Sequence, residues 1–398
     1  MKIGILGQGA SGLLLSLMLK NEDETLDVTI IDKNAVAGRK LLATGNGRCN
    51  LGNRSLTDDS YNCGEAKKLV EEFNIDKQIS FLNEIGLFTR DINTLVYPFS
   101  LSAKSFLDYL IDYAKQRKIK LVHNENVIDY EIVGKKIKVT TSKKNFSFDK
   151  LVIATGNQSA PQLGGAASML SILNKKGYEI LDSKPGLCPI RVIENTKTVE
   201  NQRIKAKVSL IIDRKEVYTE IGEVLFKKDG LSGIAIFNCA SMIARSPKFK
   251  KAIIRLDLFP DRTEEELVKI FTQLNVISDK SFLSGIFTKE VTEYIRKNSG
   301  VKNLFIYTPT ELKKLANYLK GIEFTYKESY SFSDSQVSIG GLKFSNVNEN
   351  LESIKEPNIY FTGEILNADG LCGGYNIMFA LASAHKVAET IIKEIREN

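Results

Sequence analysis

The opening residues, MKIGILGQGASG, restrict the fold more than any other stretch of this chain. Lys2–Leu6 reads as a short buried strand. Gly7, Gly9 and Gly12 follow in G-x-G-x-x-G spacing, and LLLSLMLK continues as a helix. A second strand, DVTIID, ends at Asp32, twenty positions beyond Gly12. Each part has a task in a dinucleotide-binding βαβ unit. Gly7 makes the tight turn, Gly9 lets the backbone approach a pyrophosphate, and Gly12 lets helix and strand pack closely. Ala10 and Ser11 open the helix, whose free N–H groups and positive dipole end suit phosphate. Asp32, with Lys33 beside it, can accept hydrogen bonds from ribose hydroxyls. Glycines serving only a strand-to-helix turn would leave Asp32 unexplained.

The next stretch separates FAD from NAD. A plain NAD-binding unit runs from its second strand into another helix, whereas here the chain enters GRKLLATGNGRCN. FAD is longer at its reactive end and carries a ring system that must be gripped on several sides. Arg39 and Lys40 can balance phosphate charge. The backbone through Asn46, Gly47 and Cys49 can turn N–H groups toward a ligand, and Arg48 and Asn50 can bond ribityl or ring heteroatoms. The expectation is non-covalent FAD.

With 398 residues, the chain is long enough for two or three units with sizeable cores. Its 43% apolar and 26% charged residues are ordinary for a globular protein. The net charge of +7 is spread among interspersed Lys, Glu and Asp, so no nucleic-acid partner is expected. Five cysteines without a C-x-x-C pair argue for reduced thiols and against a disulfide framework. Two histidines argue against a His-based metal site, and no metal is expected. No apolar run reaches the ~18 residues of a membrane span. KNEDE follows the apolar start where a signal peptide would have small residues, so a cytoplasmic protein is expected.

Further along, EAKKLVEEFNIDKQISFLNEIG and SAKSFLDYLIDYAKQRK read as amphipathic helices. A strand, a hairpin and a return strand then lead to LVIATGN, where the small Thr155 and Gly156 would let the chain pass beside a dinucleotide. Val127 is a candidate neighbour of adenine. From about Arg191 the period becomes strand-like, in RIKAKVSLIID, KEVYTEIGEVLF and AIIRLDLFP. A helical piece follows, with capping boxes at Thr263–Glu266 and Thr308–Glu311 and Pro309 at a first helical position. The C-terminal stretch has a strand, the loop carrying Gly363, Glu364 and Asp369, then Gly373, Gly374, Tyr375 and Asn376 opening a helix. That bare helix N-terminus, aimed at a flavin, would stabilise negative charge on its reduced form.

Together, GRKLLATGNGRCN, VLF…GLSG, Gly340–Gly341, LES and YFTGEILNADGLCGGYN resemble the BaiN/YhiN-like FAD-dependent oxidoreductases, also called the aminoacetone oxidase family. The resemblance spans nearly the whole chain. It implies an α/β fold: a Rossmann-like, glutathione-reductase-type FAD domain interrupted by a β-barrel subdomain and a small helical subdomain. The expected division is residues 1–190 for the first part of the FAD domain, 191–260 for the barrel or sheet and 261–320 for the helical piece. Residues 321–335 would be a strand returning to the barrel, and 336–398 the second part of the FAD domain. Where the family has GEVLDVDGxTGGYN this chain has GEILNADGLCGGYN, which brings Asn367 and Cys372 near the expected ring.

The function these features imply is hydride transfer between FAD and a small organic substrate (an amine, ketone, or enone of steroid type). Cys372 is the candidate catalytic residue. Near a helix N-terminus a thiol's pKa can be lowered. No second dinucleotide fingerprint is present, so NAD(P)H would act only as a visiting reductant. The competing readings are an FAD-dependent tRNA-modifying protein and a flavin-binding regulator. Oligomeric state stays open.

Overall fold

The computed structural model describes residues 1–246, 248–275, 282–301 and 307–397. The chain divides into two compact units, one of Met1–Lys184 with Gln336–Asn398, the other of Pro185–Ser335.

The first unit is built on a five-stranded parallel sheet. Its strands are β1 (Lys2–Leu6), β2 (Asp27–Ile31), β3 (Lys120–Val122), β4 (Lys150–Ile153) and β5 (Ile359–Phe361), in spatial order β5-β4-β1-β2-β3. Ile3, Ile5, Val28, Ile30, Val152, Ile153 and Phe361 are wholly buried, as expected of parallel strands covered on both faces. Helix α1 (Ala10–Glu22) packs against the C-terminal helix Tyr375–Glu397. From β1 the chain moves one way to β2 and β3, then crosses to β4 and β5 on the other side. The C-terminal end of β1 is therefore the topological switch point, where open α/β sheets bind ligands.

Two antiparallel ribbons join this sheet. One pairs Gly52–Asn53 with Leu95–Pro98 and Thr89–Ile92; the other is Val127–Val133, Lys136–Thr141 and Asn145–Phe148. The first amphipathic pattern read from the sequence is two helices, Gly64–Glu72 and Ile75–Glu84. Asn74 breaks it: its side chain accepts from the Lys77 N–H at 3.1 Å and caps the second helix.

The second unit is a closed six-stranded antiparallel barrel with helices. In order round the barrel come Ile190–Val192, Gly230–Ser232, Lys215–Lys227, Arg203–Ile212, Ala252–Asp257 and Ile322–Ser329. The last strand pairs with the first, Ser329 opposite Ile190, which closes it. Both capping boxes form, and Pro309 begins its helix. The helix Ile234–Arg245 lies in a region whose sequence reads as strands. Gly233 starts it at φ +117°, where a Cβ would stand 2.3 Å from the Glu223 carbonyl. Among the described residues no helix is long and apolar enough to cross a membrane, and no group of His, Cys, Asp and Glu could hold a metal.

Candidate cofactor site

Steric constraint defines the turn after β1. A Cβ on Gly12 would lie 2.0 Å from the Gly7 carbonyl oxygen, and one on Gly7 2.4 Å from the Ala154 carbonyl. Gly9, in contrast, faces open space. It is the N-cap of α1 and supplies no side-chain cap, so the first N–H groups of the helix remain available to an anion. Asp32 holds the turn. One carboxylate oxygen accepts from the Gln8 N–H at 2.7 Å, the other from the Asn34 N–H at 2.7 Å and its side-chain amide at 2.9 Å. The oxygen that accepts only from Gln8 keeps a lone pair for a ribose hydroxyl.

Gly38–Asn53 begins as the short helix Arg39–Ala43 and turns through left-handed backbone at Gly45, Asn46, Gly47 and Cys49. Its cations have different surroundings. Lys40 Nζ donates to Ser159 Oγ at 2.6 Å and to Glu364 at 2.5 Å. The other Glu364 oxygen accepts from Ser159 Oγ at 2.8 Å and the Ser338 N–H at 2.9 Å. Arg39 donates to the Gln162 carbonyl at 2.7 Å. Arg48 is exposed, its guanidinium 5.6 Å from the centre of the Tyr97 ring. Cys49 points into the core, and burial pushes its thiol up to about 12. It can offer a ligand backbone only. Asn50 is buried too, and among the described residues its Oδ1 has no hydrogen-bond partner.

The C-terminal segment meets both loops. A Cβ on Gly363 would stand 2.6 Å from Ser11 Oγ, and one on Gly374 2.7 Å from the backbone of Gly52. The Asn53 side-chain amide donates to the Gly373 carbonyl at 3.2 Å, and the Tyr61 hydroxyl to the Tyr375 carbonyl at 2.8 Å. Tyr375 OH reaches the Ser55 carbonyl. Asn376 is committed to Gly370, donating to its carbonyl at 3.1 Å and accepting its N–H at 2.9 Å. Asp369 is buried, and its carbonyl accepts from the Asn62 N–H at 3.0 Å. The Asn367 carbonyl accepts from the Asn62 side-chain amide at 3.1 Å. Cys372 is half-buried, with Sγ 4.0 Å from Gln336 Oε1.

These residues suit FAD on three observations. Gly9 leaves a cradle that a side chain would fill. Asn50 Oδ1 and Thr155 Oγ1 are buried without a hydrogen-bond partner among the described residues. At Gly156, φ +65°, the backbone runs beside Glu364, with Oε2 3.6 Å from where a Cβ would be. The sequence-predicted residues Gly7–Gly12, Asp32, Lys40, Gly156, Gly363 and Glu364 thus form connected surroundings, and Gly373 and Gly374 join Gly52 and Asn53. Lys33 is exposed, and Val127 begins a ribbon opposite Thr141. Sequence reasoning missed Ser159, Ser338, Gly52, Asn53 and Gln8. All lie within or beside recognised motifs: Gln8 between Gly7 and Gly9, Gly52 and Asn53 just after GRKLLATGNGRCN, Ser159 three positions after Gly156, and Ser338 two before Gly340.

Residues 1–390 match the family described as HI0933-like protein, Rossmann domain. The 3-dehydro-bile acid delta(4,6)-reductase of Clostridium scindens is 28% identical over 398 residues, covering 96% of this chain and 97% of that protein. The ribosomal RNA dihydrouridine synthase of Escherichia coli is 24% identical over 402 residues, covering 98% and 97%. A solved structure, 3-ketosteroid delta1-dehydrogenase from Sterolibacterium denitrificans with 1,4-androstadiene-3,17-dione, matches with a TM-score of 0.50 at 10% identity. It covers 98% of this chain and 99% of that one, a likeness of fold.

Proposed function

The chain belongs to the HI0933-like Rossmann family, and from that membership we propose that it is an FAD-dependent oxidoreductase that saturates a carbon–carbon double bond conjugated to a carbonyl in a small organic substrate. Two relatives carry names that support this reading, a 3-dehydro-bile acid delta(4,6)-reductase and, for a larger substrate, a ribosomal RNA dihydrouridine synthase. The observation that carries the reading is the convergence of Lys40, Ser159 and Glu364, from three distant parts of the chain, beside Gly156.

In this reading Gly9 and the start of α1 receive the pyrophosphate, and Asp32 receives the ribose hydroxyls. Asn50 Oδ1 and Thr155 Oγ1 accept from the cofactor's polar groups, while Lys40 supplies positive charge. When bound, reduced FAD supplies the hydride. The N-terminus of the last helix, with Gly373 and Gly374, stabilises negative charge. Cys372 is our candidate for delivering the proton to the substrate carbon, and NAD(P)H for the visiting electron donor.

The test begins with denatured protein, which should release FAD. The native protein is then reduced anaerobically and mixed with a 4-en-3-one steroid acid, and flavin absorbance is followed. Return of the oxidised spectrum with a saturated product is expected. Cys372→Ser should keep the FAD content and slow this step. Reoxidation by oxygen but by no conjugated acceptor would overturn the proposed substrate class, and an absence of FAD would overturn the whole reading.

A further inference from the structure

Glu125 lies just beyond the C-terminal end of β3 and has no part in the site described above. It is only 5% exposed. Its N–H donates to the Asp32 carbonyl at 3.0 Å, and the Asn124 N–H to the Asn34 carbonyl at 3.2 Å, so this segment runs beside the acid that closes β2. Two positions on, Val127 stands opposite Thr141. Glu125 Oε2 accepts from the Thr141 hydroxyl at 2.5 Å. Among the described residues Oε1 has no hydrogen-bond partner and no cation within ion-pair distance, and unlike Asn50 Oδ1 it is not sealed off. A carboxylate buried this deeply is costly unless donors reach its oxygens.

Strand order decides which part of a dinucleotide can reach it. Gly9 follows β1, which has β2 and β3 on one side and β4 and β5 on the other. Asp32 and Glu125 follow β2 and β3, whereas Gly156 and Glu364 follow β4 and β5. With pyrophosphate at Gly9 and ribose on Asp32, the adenosine half extends toward β3 and the flavin half toward β4 and β5. A carboxylate repels phosphate, and the ribose hydroxyls already have Asp32. The donor left on the adenosine half is the exocyclic amine of adenine, for which a carboxylate oxygen is a matching acceptor.

We propose that Glu125 selects the base of the cofactor, with Oε1 accepting from the 6-amino group of adenine. This assignment rests on the FAD reading, and its test separates the two. The full chain, stripped of flavin, is titrated with FAD and with an analogue whose purine lacks the 6-amino group, and quenching of flavin fluorescence is recorded. Wild type should bind FAD about ten- to a hundredfold tighter than the analogue. Glu125→Ala should erase that preference, and Glu125→Gln, which keeps an acceptor oxygen, should retain part of it. The preference compares two ligands on one protein, so it remains readable if Glu125→Ala melts early. Equal binding of the two ligands by the wild type, or a preference undiminished in Glu125→Ala, would overturn the proposal and leave the FAD site standing. So would a preference lost as fully in Glu125→Gln as in Glu125→Ala, since an acceptor oxygen would then not be what reads the base. Binding of neither ligand by the stripped wild type would overturn the FAD reading and this assignment with it.

Discussion

The turn Gly7–Gly12 and the loop Gly38–Asn53 both rely on glycine, yet they are held by different forces. In the turn, Gly7 and Gly12 are required by backbone a few ångströms away, and the restraints come from β1, α1 and β4. In the loop, Gly47 faces open space, and shape is imposed by partners remote in sequence: Lys40 on Glu364, Asn53 on Gly373, and the Leu51 N–H on the Val96 carbonyl at 2.8 Å. The turn is a steric object that a ligand finds ready. The loop is a tertiary object whose ligand-facing groups depend on the end of the chain being in place.

The largest expected effect tests the steric half. Gly12→Val forces carbon into the Gly7 carbonyl and should abolish accumulation of folded protein, whereas Gly9→Val should fold, melt near wild type and retain no FAD. Circular dichroism with flavin content reads both. If Gly12→Val folds normally, the turn is as adaptable as the loop and the contrast fails. Next is Lys40→Met, which leaves Glu364 without its cation. A charged hydrogen bond of this kind contributes roughly 1.5–3 kcal/mol, so FAD affinity of the apoprotein should drop about ten- to a hundredfold, with a lowered melting temperature. Unchanged values in both would show that Glu364 is held by Ser159 and Ser338 alone.

Asn50→Ala should have a narrower effect. Its Oδ1 has no protein partner to lose, so apoprotein stability should hold while FAD titration shows affinity about tenfold weaker; a destabilised apoprotein with intact affinity would make Asn50 structural. Smallest is the behaviour of Cys49. With its thiol raised to about 12, it stays protonated and inward at mildly alkaline pH. Peptide mapping after brief iodoacetamide treatment should find it unlabelled, and labelling ahead of Cys372 would mean that the loop opens in the native state.

The same contrast explains what could be read from residues alone. Gly7, Gly9, Gly12 and Asp32 were legible because their geometry is written within one βαβ unit. Lys40 could be singled out as a cation in a suspicious loop, but not as a partner of Ser159 and Glu364, since no short-range pattern relates residues so far apart. Arg48 carried the same chemical signal as Lys40 and lies on the outside of its turn. The break at Asn74 and the helix from Ile234 were hidden for different reasons. In the first, apolar spacing continues across a cap. In the second, IAIFNCASMIA is apolar enough to suit a buried strand, and Gly233 decides otherwise through a backbone angle.

The position of β5 has a consequence for how the protein is made. The barrel unit, Pro185–Ser335, is contiguous and complete before β5 and the last helix emerge from the ribosome. The parallel sheet must then wait, with the edge of β4 and the apolar face of α1 uncovered, until the final part of the chain arrives. Cofactor capture therefore waits for β5 and the last helix. A chain that ends between the barrel unit and Glu364 has a finished barrel and an adhesive, cofactor-less half, a product for chaperones or proteases to recognise.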